Sequence, residues 1–203
     1  MKNINSINTV SILGVTISNA SSEEAIALIE GLFAGNSETT HPIYIVNAHT
    51  LNLAAENPRY HETLNSAYRV LGDGTGVRWA AHQRGVRMKD NLVGTDLVPG
   101  IFTATAGRGY GYFLLGADSD SIERAARHCE RSYPGWKLAG YSQGYLDEEA
   151  SRQVIATINA VRPHLLLVGM GNPKQEQWIH SYRDQLRVPV AIGVGGLFDH
   201  WAG

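Results

Sequence analysis

The chain has 203 residues, of which 43% are hydrophobic and 18% charged, as in an ordinary globular protein. This length predicts one domain, residues 1–203, with enough chain to bury a core. The formal net charge of -2 argues against a general nucleic-acid binder, which would be clearly basic. The single cysteine, Cys129, excludes a disulfide framework and a cysteine-rich zinc site. No apolar run approaches the roughly 20 residues that a membrane span needs.

The first half of the chain alternates short apolar runs with helical patterns. In chain order we predict a hairpin at 10–17, a helix at 21–33, a loop at 35–40, a strand at 43–46, a helix at 51–66 that restarts at 57–58, a strand at 68–71, a helix at 77–83, an irregular basic connection at 84–93 and a helix that opens at 94–96. Ser21 and Glu24 have the spacing of a capping box. Thr95 or Asp96 is the expected cap of the last helix.

The second half alternates more regularly. We predict strands at 112–115, 136–141, 165–168 and 190–194, with helices at 119–133, at 148–161 and from Pro173 onward. This alternation predicts an α/β fold with a mainly parallel, Rossmann-like sheet, helices on both faces and a small N-terminal β hairpin.

Polar or glycine-rich stretches follow four of the predicted strands. They are Asn47-Ala48-His49-Thr50, Gly72-Asp73-Gly74-Thr75-Gly76, the segment from Gly169 to Glu176, and the segment from Gly195 to Asp199. Because the carboxyl ends of parallel strands share one edge of a sheet, these stretches can converge there. The sequence therefore predicts one ligand-binding crevice at that edge.

The segment after the strand at 165–168 carries the strongest of these signals. Residues 169–172 form a glycine turn, and Pro173 is the expected first residue of a helix that Lys174, Gln175 and Glu176 continue. A strand, a glycine turn and a helix bring backbone N–H groups and a helix N-terminus to an anionic ligand. An ordinary tight connection would explain the glycines, but it would not explain the polar run that follows them.

Asp73 is the most informative single residue. In a lone Asp-Gly pair, the aspartate is best explained as a turn residue that bonds its own backbone. Here the residues at 74–76 leave the backbone free to approach a ligand. A carboxylate at this position can coordinate a metal, bind a ribose hydroxyl or act as a general base.

Several nucleotide-binding and catalytic motifs are broken or absent. Gly169 and Gly171 begin a G-x-G-x-x-G pattern, but Lys174 occupies the position of the third glycine. The sequence has no P-loop and no G-x-S-x-G elbow, and its histidines show no metal-ligand spacing. A nucleotide-dependent oxidoreductase is thus an alternative that the broken fingerprint disfavours.

The motifs NAHTLN, LGDGTGV, GTDL, LLLVGMGNPKQEQWI and GVGGLFD occur in this order within the segment from about Ile12 to Gly203. Their order and spacing resemble those of the WecG/TagA/CpsF family of bacterial glycosyltransferases. The resemblance implies an inverting, UDP-sugar-dependent enzyme, peripheral at the cytoplasmic face of the plasma membrane. It implies a polyprenyl-diphosphate-linked sugar as acceptor, in the synthesis of teichoic acid, enterobacterial common antigen, or capsular and exopolysaccharide. A non-catalytic sugar-nucleotide-binding module is a further alternative.

The same resemblance implies roles for individual residues. Asp73 matches the family's proposed general base, Asn47 an asparagine beside the sugar and diphosphate, and Gln175 a glutamine of the pocket. The full predicted substrate-binding set is Asn47, Thr50, Gly74, Thr75, Gly94, Asp96, Gly171, Asn172, Lys174, Gln175, Glu176 and Gly195. The family lacks the DxD metal motif, so the resemblance implies no metal and no cofactor besides the donor.

Two positions depart from the family pattern. Many members have a threonine where this chain has Ile45, and an arginine where it has Asn91. Thr50, or the basic connection with Arg84, Arg87 and Lys89, is the candidate substitute. The departures leave the donor sugar open, N-acetylmannosamine included.

A last expectation concerns the C-terminus. Family members normally continue for several dozen residues beyond the last motif, in an arginine-rich and apolar tail thought to dock on the membrane. The sequence given ends at Gly203, directly after that motif. Without such a tail we expect an open site with weak turnover, impaired membrane binding and a homo-oligomer formed through exposed apolar surface.

Overall fold

A computed structural model of the chain describes residues 7–35 and 38–203, and its strands form one eight-stranded sheet. The strands are β1 (Thr9–Ile12), β2 (Val15–Ser18), β3 (His41–Val46), β4 (Arg69–Gly72), β5 (Gly111–Gly116), β6 (Lys137–Ser142), β7 (Leu165–Gly169) and β8 (Val190–Gly193). The helices are α1 (Ser22–Phe33), α2 (Ala48–Glu56), α3 (Pro58–Asn65), α4 (Gly74–Gln83), α5 (Gly94–Ala104), α6 (Ser119–Ser132), α7 (Glu148–Val161), α8 (Lys174–Tyr182) and α9 (Leu197–Ala202).

The strands lie in the order β1-β2-β4-β3-β8-β7-β5-β6. β1 and β2 pair antiparallel, as the predicted hairpin, and the remaining pairs are parallel. These pairings confirm the predicted α/β fold with a mainly parallel sheet and a small N-terminal hairpin. The strand order, which the sequence did not predict, places β4, β3, β8 and β7 side by side.

Helices cover both faces of the sheet, as predicted. One layer contains α1, α5, α6 and α9, and the opposite layer contains α2, α3, α4, α7 and α8. Along β7, Leu165 and Leu167 pack into the first layer, and Leu166 and Val168 pack into the second. Both faces of this strand are buried, which explains its unbroken apolar run. Each such side chain contributes about 1.5–3 kcal/mol by leaving water.

The starts of α2, α4 and α8 differ from the predicted ones by one to three residues, and the predicted cap of α5 was wrong. α2 begins at Ala48, three residues before the predicted start. α8 begins at Lys174, because Pro173 has the backbone angles φ -90° and ψ 3°, which are not helical. α5 begins at Gly94 with Val93 at the cap position, so neither Thr95 nor Asp96 caps it. α4 begins at Gly74, three residues before the predicted start.

Residues 36 and 37 of the predicted loop lie outside the described residues. Within the described ranges, no helix combines the length and the apolar content that a membrane crossing requires.

Candidate active site at the carboxyl edge of the sheet

The four polar strand ends belong to four neighbouring strands, β4, β3, β8 and β7. Their pairings are all parallel, with Val46 beside Gly72 and Val168 beside Gly193. The four carboxyl ends therefore lie along one continuous edge, which confirms the predicted convergence. This is the edge at which open parallel sheets bind ligands.

Asp73 and Asn47 are neighbours at this edge. The backbone N–H of Asp73 donates to the carbonyl oxygen of Val46 at 2.8 Å, so the pairing of β3 and β4 continues one residue past β4. Asn47 directly follows Val46. The carboxylate and the amide thus extend from adjacent chain segments, as a shared ligand site requires.

The carboxylate of Asp73 is not used to cap a helix. Asp73 stands at the cap position of α4, yet its side chain makes no capping hydrogen bond. Asn91 Oδ1 instead accepts the first N–H of the helix, that of Gly74. Burial raises the pKa of the Asp73 carboxyl, and the negative charge of Asp96 raises it further. A raised pKa makes an ionised carboxylate a stronger base, the property that a general base needs.

Asn47 is held in place by Thr50. Asn47 Oδ1 accepts the backbone N–H of Thr50 at 3.0 Å and its hydroxyl at 3.2 Å, which caps α2. Thr50 is fully buried, so it lies behind Asn47 and orients that side chain. The exposed Asn47 has no described hydrogen bond from its Nδ2, which can therefore donate to a ligand.

A buried glutamate fixes the turn between β7 and α8. Glu176 Oε1 accepts the side-chain N–H groups of Gln175 and Asn172, both at 2.7 Å. Glu176 Oε2 accepts the Tyr60 hydroxyl at 3.0 Å. Burial raises the pKa of Glu176, and these hydrogen bonds act in the opposite direction. The three donors satisfy the carboxyl group inside the fold.

Gln175 connects this network to the turn after β8. Its Oε1 accepts the backbone N–H of Gly195 at 2.9 Å. A Cβ atom at Gly193 would lie 2.9 Å from Gln175 Nε2, so a glycine is required where this side chain meets the strand. Gln175 and Glu176 are buried, and both therefore support the edge from one layer behind it.

A cleft of about 290 Å³ opens at the ends of β5, β7 and β8, and we name it the glycine cleft. Its lining consists of Ala117, Asp118, Gly144, Tyr145, Gly169, Met170, Gly171, Lys174, Gly195, Gly196 and Asp199. No atom lies within 4 Å of where a Cβ would stand at Gly171 or Gly195, and both have positive φ. These turns present bare backbone beside open space. Lys174 is exposed and forms no ion pair with any described residue.

The predicted site residues divide between two parts of the edge. Gly171, Lys174 and Gly195 line the glycine cleft. The residues around the ends of β3 and β4 are Asn47, Thr50, Asp73, Gly74, Thr75 and Asp96. Gly94 lies between the two parts, because a Cβ there would be 3.6 Å from Ile45 Cδ1 and 3.7 Å from the Val194 carbonyl oxygen. Both parts lie along the carboxyl edge of the sheet.

Sequence reasoning did not select three polar side chains that line the glycine cleft. Asp118 caps α6 by accepting the N–H groups of Asp120 and Ser121, so its sequence signal is that of a helix start. Asp199 lies in the quoted GVGGLFD motif, and its position after a strand could have selected it. Tyr145, 76% exposed, carries no signal beyond its aromatic type in a loop.

In the described part of the chain, no group of three or more His, Cys, Asp or Glu residues is arranged to hold a metal ion. At the end of β4, the carboxylates of Asp73 and Asp96 are close enough for the charge of Asp96 to act on Asp73. Metal independence of the reaction stays a prediction.

The fold and the edge define an α/β protein with polar side chains and bare glycine turns at its strand ends. A family model described as "Glycosyl transferase WecG/TagA/CpsF family" matches residues 10–203. The chain belongs to this family and is a glycosyltransferase.

Two relatives from Staphylococcus aureus, strains NCTC 8325 / PS 47 and COL, are each 32% identical to the chain over 194 residues. The alignment covers 96% of this chain and 76% of each relative. Both relatives are named N-acetylglucosaminyldiphosphoundecaprenol N-acetyl-beta-D-mannosaminyltransferase.

Proposed function

We propose that the chain is an inverting glycosyltransferase that moves a sugar from a UDP-sugar to a polyprenyl-diphosphate-linked sugar at the cytoplasmic face of the membrane. The observation that carries the proposal is the free carboxylate of Asp73. It stands at a helix cap without capping, beside Asn47, in a family of glycosyltransferases. The product belongs to a cell-surface polysaccharide or teichoic acid.

Asp73 is the general base of the proposed reaction. The acceptor hydroxyl attacks the anomeric carbon from the face opposite the leaving diphosphate, and its proton passes to Asp73. The new C–O bond forms as the bond to the diphosphate breaks, so the configuration inverts. Asn47 Nδ2 is available to hold the sugar or the diphosphate while this happens.

The donor lies along the edge, with its nucleoside in the glycine cleft and its sugar toward Asp73. The cleft volume of about 290 Å³ suits one nucleoside-sized group. Asp118 and Asp199 offer acceptor oxygens for ribose hydroxyls or the base N–H, and Lys174 offers a cation for the diphosphate. Backbone amides of the glycine turns and the start of α8 add to the anion-binding character.

The relatives' names guide the choice of substrates. Those proteins are named for transfer of N-acetylmannosamine to N-acetylglucosaminyl-diphosphoundecaprenol. Ile45 and Asn91 differ from the common family pattern at two positions near the strand ends, so the donor sugar must be tested as a variable.

The test is turnover of purified protein with N-acetylglucosaminyl-diphosphopolyprenol and a panel of UDP-sugars that includes UDP-N-acetylmannosamine. We expect one UDP-sugar to give product of inverted configuration, with release of UDP. Calorimetry with UDP and with NAD runs in parallel, and we expect heat from UDP alone. Binding of UDP without turnover on any donor would favour the non-catalytic module instead.

A further inference from the structure

The outer surface of α4 and the connection that follows it carry an exposed tryptophan among arginines. Trp79 is 67% exposed, whereas Trp136, Trp178 and Trp201 are at most 9% exposed. Burial of this indole against a partner would remove a large apolar area from water. Tryptophan is also enriched at the boundary between water and lipid headgroups.

Three exposed arginines lie near this tryptophan in the chain and have no acidic partner in the described ranges. Arg78, Arg84 and Arg87 are exposed and form no ion pair with any residue of the described ranges. Most ion-paired cations lie elsewhere, such as Arg124 and Arg127 on α6. We name Arg78, Trp79, Arg84 and Arg87 the α4 patch.

The α4 patch is positive although the whole chain has a net charge of -2. The one acidic residue between Gly74 and Asn91 is Asp90, and its carboxylate already accepts the N–H of Ser22 at 2.6 Å. Lys89, the remaining basic residue of the segment, is paired with Glu24. The charge left over at the surface is complementary to an anionic partner.

The connection after α4 is fixed to the fold. Asn19 Nδ2 donates to the carbonyl oxygen of Arg87 at 3.1 Å, and Asn19 Oδ1 accepts the Lys89 N–H at 2.8 Å. Met88, between them, is buried. The arginines therefore stand on an ordered backbone, which presents them at set positions next to α4.

The α4 patch lies close to the reacting groups. Trp79 is six residues beyond Asp73, and at a rise of about 1.5 Å per residue it is roughly 9 Å further along the helix axis. A polyprenyl-diphosphate acceptor keeps its lipid in the bilayer and its diphosphate at headgroup depth. A membrane contact this near to Asp73 would bring the acceptor sugar to the base.

From these observations we infer that the α4 patch is a membrane-contact surface, with Trp79 inserted among the headgroups of an anionic bilayer and Arg78, Arg84 and Arg87 binding lipid phosphates. This inference rests on the proposed function only for the role of the contact, which is to deliver a lipid-linked acceptor to Asp73. The lipid contact itself needs no donor and no acceptor.

Trp79 allows a direct test on the 203-residue chain, since it alone among the four tryptophans is exposed. Vesicles of phosphatidylcholine with about 30% phosphatidylglycerol should shift the fluorescence to shorter wavelength, and brominated lipid should quench it. The Trp79→Phe variant should lose both responses while still binding the vesicles. Pure phosphatidylcholine vesicles should bind much more weakly, because each arginine near an anionic surface is worth about five-fold in affinity.

Removing the patch should weaken vesicle sedimentation. Trp79→Ser should reduce binding about ten-fold, and the triple change Arg78→Gln, Arg84→Gln and Arg87→Gln roughly a hundred-fold. The charge-matched control is Arg124→Gln, Arg127→Gln and Arg131→Gln on α6, which packs in the opposite layer. Circular dichroism of each variant checks that it remains folded.

Two outcomes would overturn the inference. One is equal vesicle binding by the patch variants and the α6 control. The other is a Trp79 variant that becomes monomeric in ultracentrifugation with vesicle binding intact, since the patch would then be an interface between copies. Turnover separates this inference from the proposed function: Trp79→Ser should keep full activity on a short-chain, water-soluble acceptor and lose most of it on a vesicle-embedded one. If the unmodified chain binds vesicles as expected but is inactive on both acceptors, the proposed function is refuted and the membrane contact is not.

Discussion

Asn91 Oδ1 accepts the backbone N–H of Gly74, the first residue of the helix that starts directly after Asp73. Through this bond Asn91 holds the start of α4, and with it the backbone from which the Asp73 carboxylate extends.

Asn91→Ala should lower kcat by about ten- to a hundred-fold, because the start of α4 loses an acceptor and small displacements of a reacting group are costly. Affinity for UDP should stay the same, since other elements build the glycine cleft. Steady-state kinetics and UDP calorimetry measure the two quantities. Asn91→Ser is the control, because its hydroxyl keeps an oxygen acceptor and adds no charge beside Asp73. A kcat in Asn91→Ala equal to that of the unmodified chain would show that Asn91 does not position Asp73.

Asp96 should set part of the pH dependence of the reaction. Its negative charge raises the pKa of Asp73, second to the effect of burial. In Asp96→Asn this repulsion is gone, so Asp73 ionises at a lower pH and remains a base further into acid. The acid limb of the kcat profile should therefore move to lower pH.

Asp90→Asn is the control for this shift, because Asp90 serves a backbone N–H of Ser22. Its acid limb should coincide with that of the unmodified chain. An unmoved limb in Asp96→Asn would show that Asp73 does not titrate in that limb, or that Asp96 does not act on it.

Lys174 should stabilise the diphosphate of the donor. It is exposed in the lining of the glycine cleft at the start of α8, where the helix dipole also favours an anion. Lys174→Ala should weaken UDP binding about ten-fold, while Lys137→Ala, on exposed β6, should leave it unchanged. Calorimetry measures both, and equal affinities would place the diphosphate elsewhere.

The same role of Lys174 predicts a reaction that runs without a metal. We expect EDTA to leave turnover unchanged, because the leaving diphosphate is stabilised by Lys174 and backbone amides. Loss of activity in EDTA with recovery in Mg²⁺ or Mn²⁺ would contradict this prediction.

Glu176 should be the main polar support of the site. Glu176→Ala leaves the side-chain donors of Tyr60, Asn172 and Gln175 without their acceptor, and should cost roughly 3 kcal/mol in the free energy of unfolding. In Glu176→Gln the amide oxygen can accept the two N–H groups and the amide nitrogen can donate to Tyr60. This variant should fold normally and retain the glycine cleft.

The stability difference between Glu176→Gln and the unmodified chain should depend on pH. Burial raises the pKa of Glu176 above the value of about 4.3 in the unfolded chain, so the folded state holds this proton more tightly. Its contribution is full below about pH 4.3 and is lost as the pH rises through the folded pKa. Glutamine has no proton to lose, so the variant should gain relative stability as the pH is raised from about 4.3 to neutral in urea titrations. A constant difference across this range would contradict a raised pKa.

The parts of the fold that local pattern controls were predictable from the sequence. The apolar runs, the capping box at Ser21 and the restart at Asn57-Pro58 all depend on residues close in the chain. The convergence of four strand ends followed from parallel pairing alone. The strand order was not predictable, because it depends on contacts between distant segments such as β3 with β8.

The motifs of the candidate site were predictable from the sequence, but the burial of its supporting residues was not. Asp73, Asn47 and Lys174 followed from position after strands. The burial of Gln175 and Glu176 could not be predicted, because a polar run at a helix start normally faces solvent. Its cause is the hydrogen bond from Tyr60, on a distant helix, to Glu176. The contact of Gln175 with Gly195 likewise joins segments that are 20 residues apart.

The most direct test of Asp73 as general base is the single-turnover rate of Asp73→Asn on a lipid-linked acceptor, with UDP affinity measured on the same sample. Asparagine keeps the size and the hydrogen-bonding shape of the side chain but cannot take up the acceptor proton. The rate should fall by about 10² to 10⁴, with UDP affinity nearly unchanged. A rate equal to that of the unmodified chain, with UDP still bound, would contradict the assignment of Asp73.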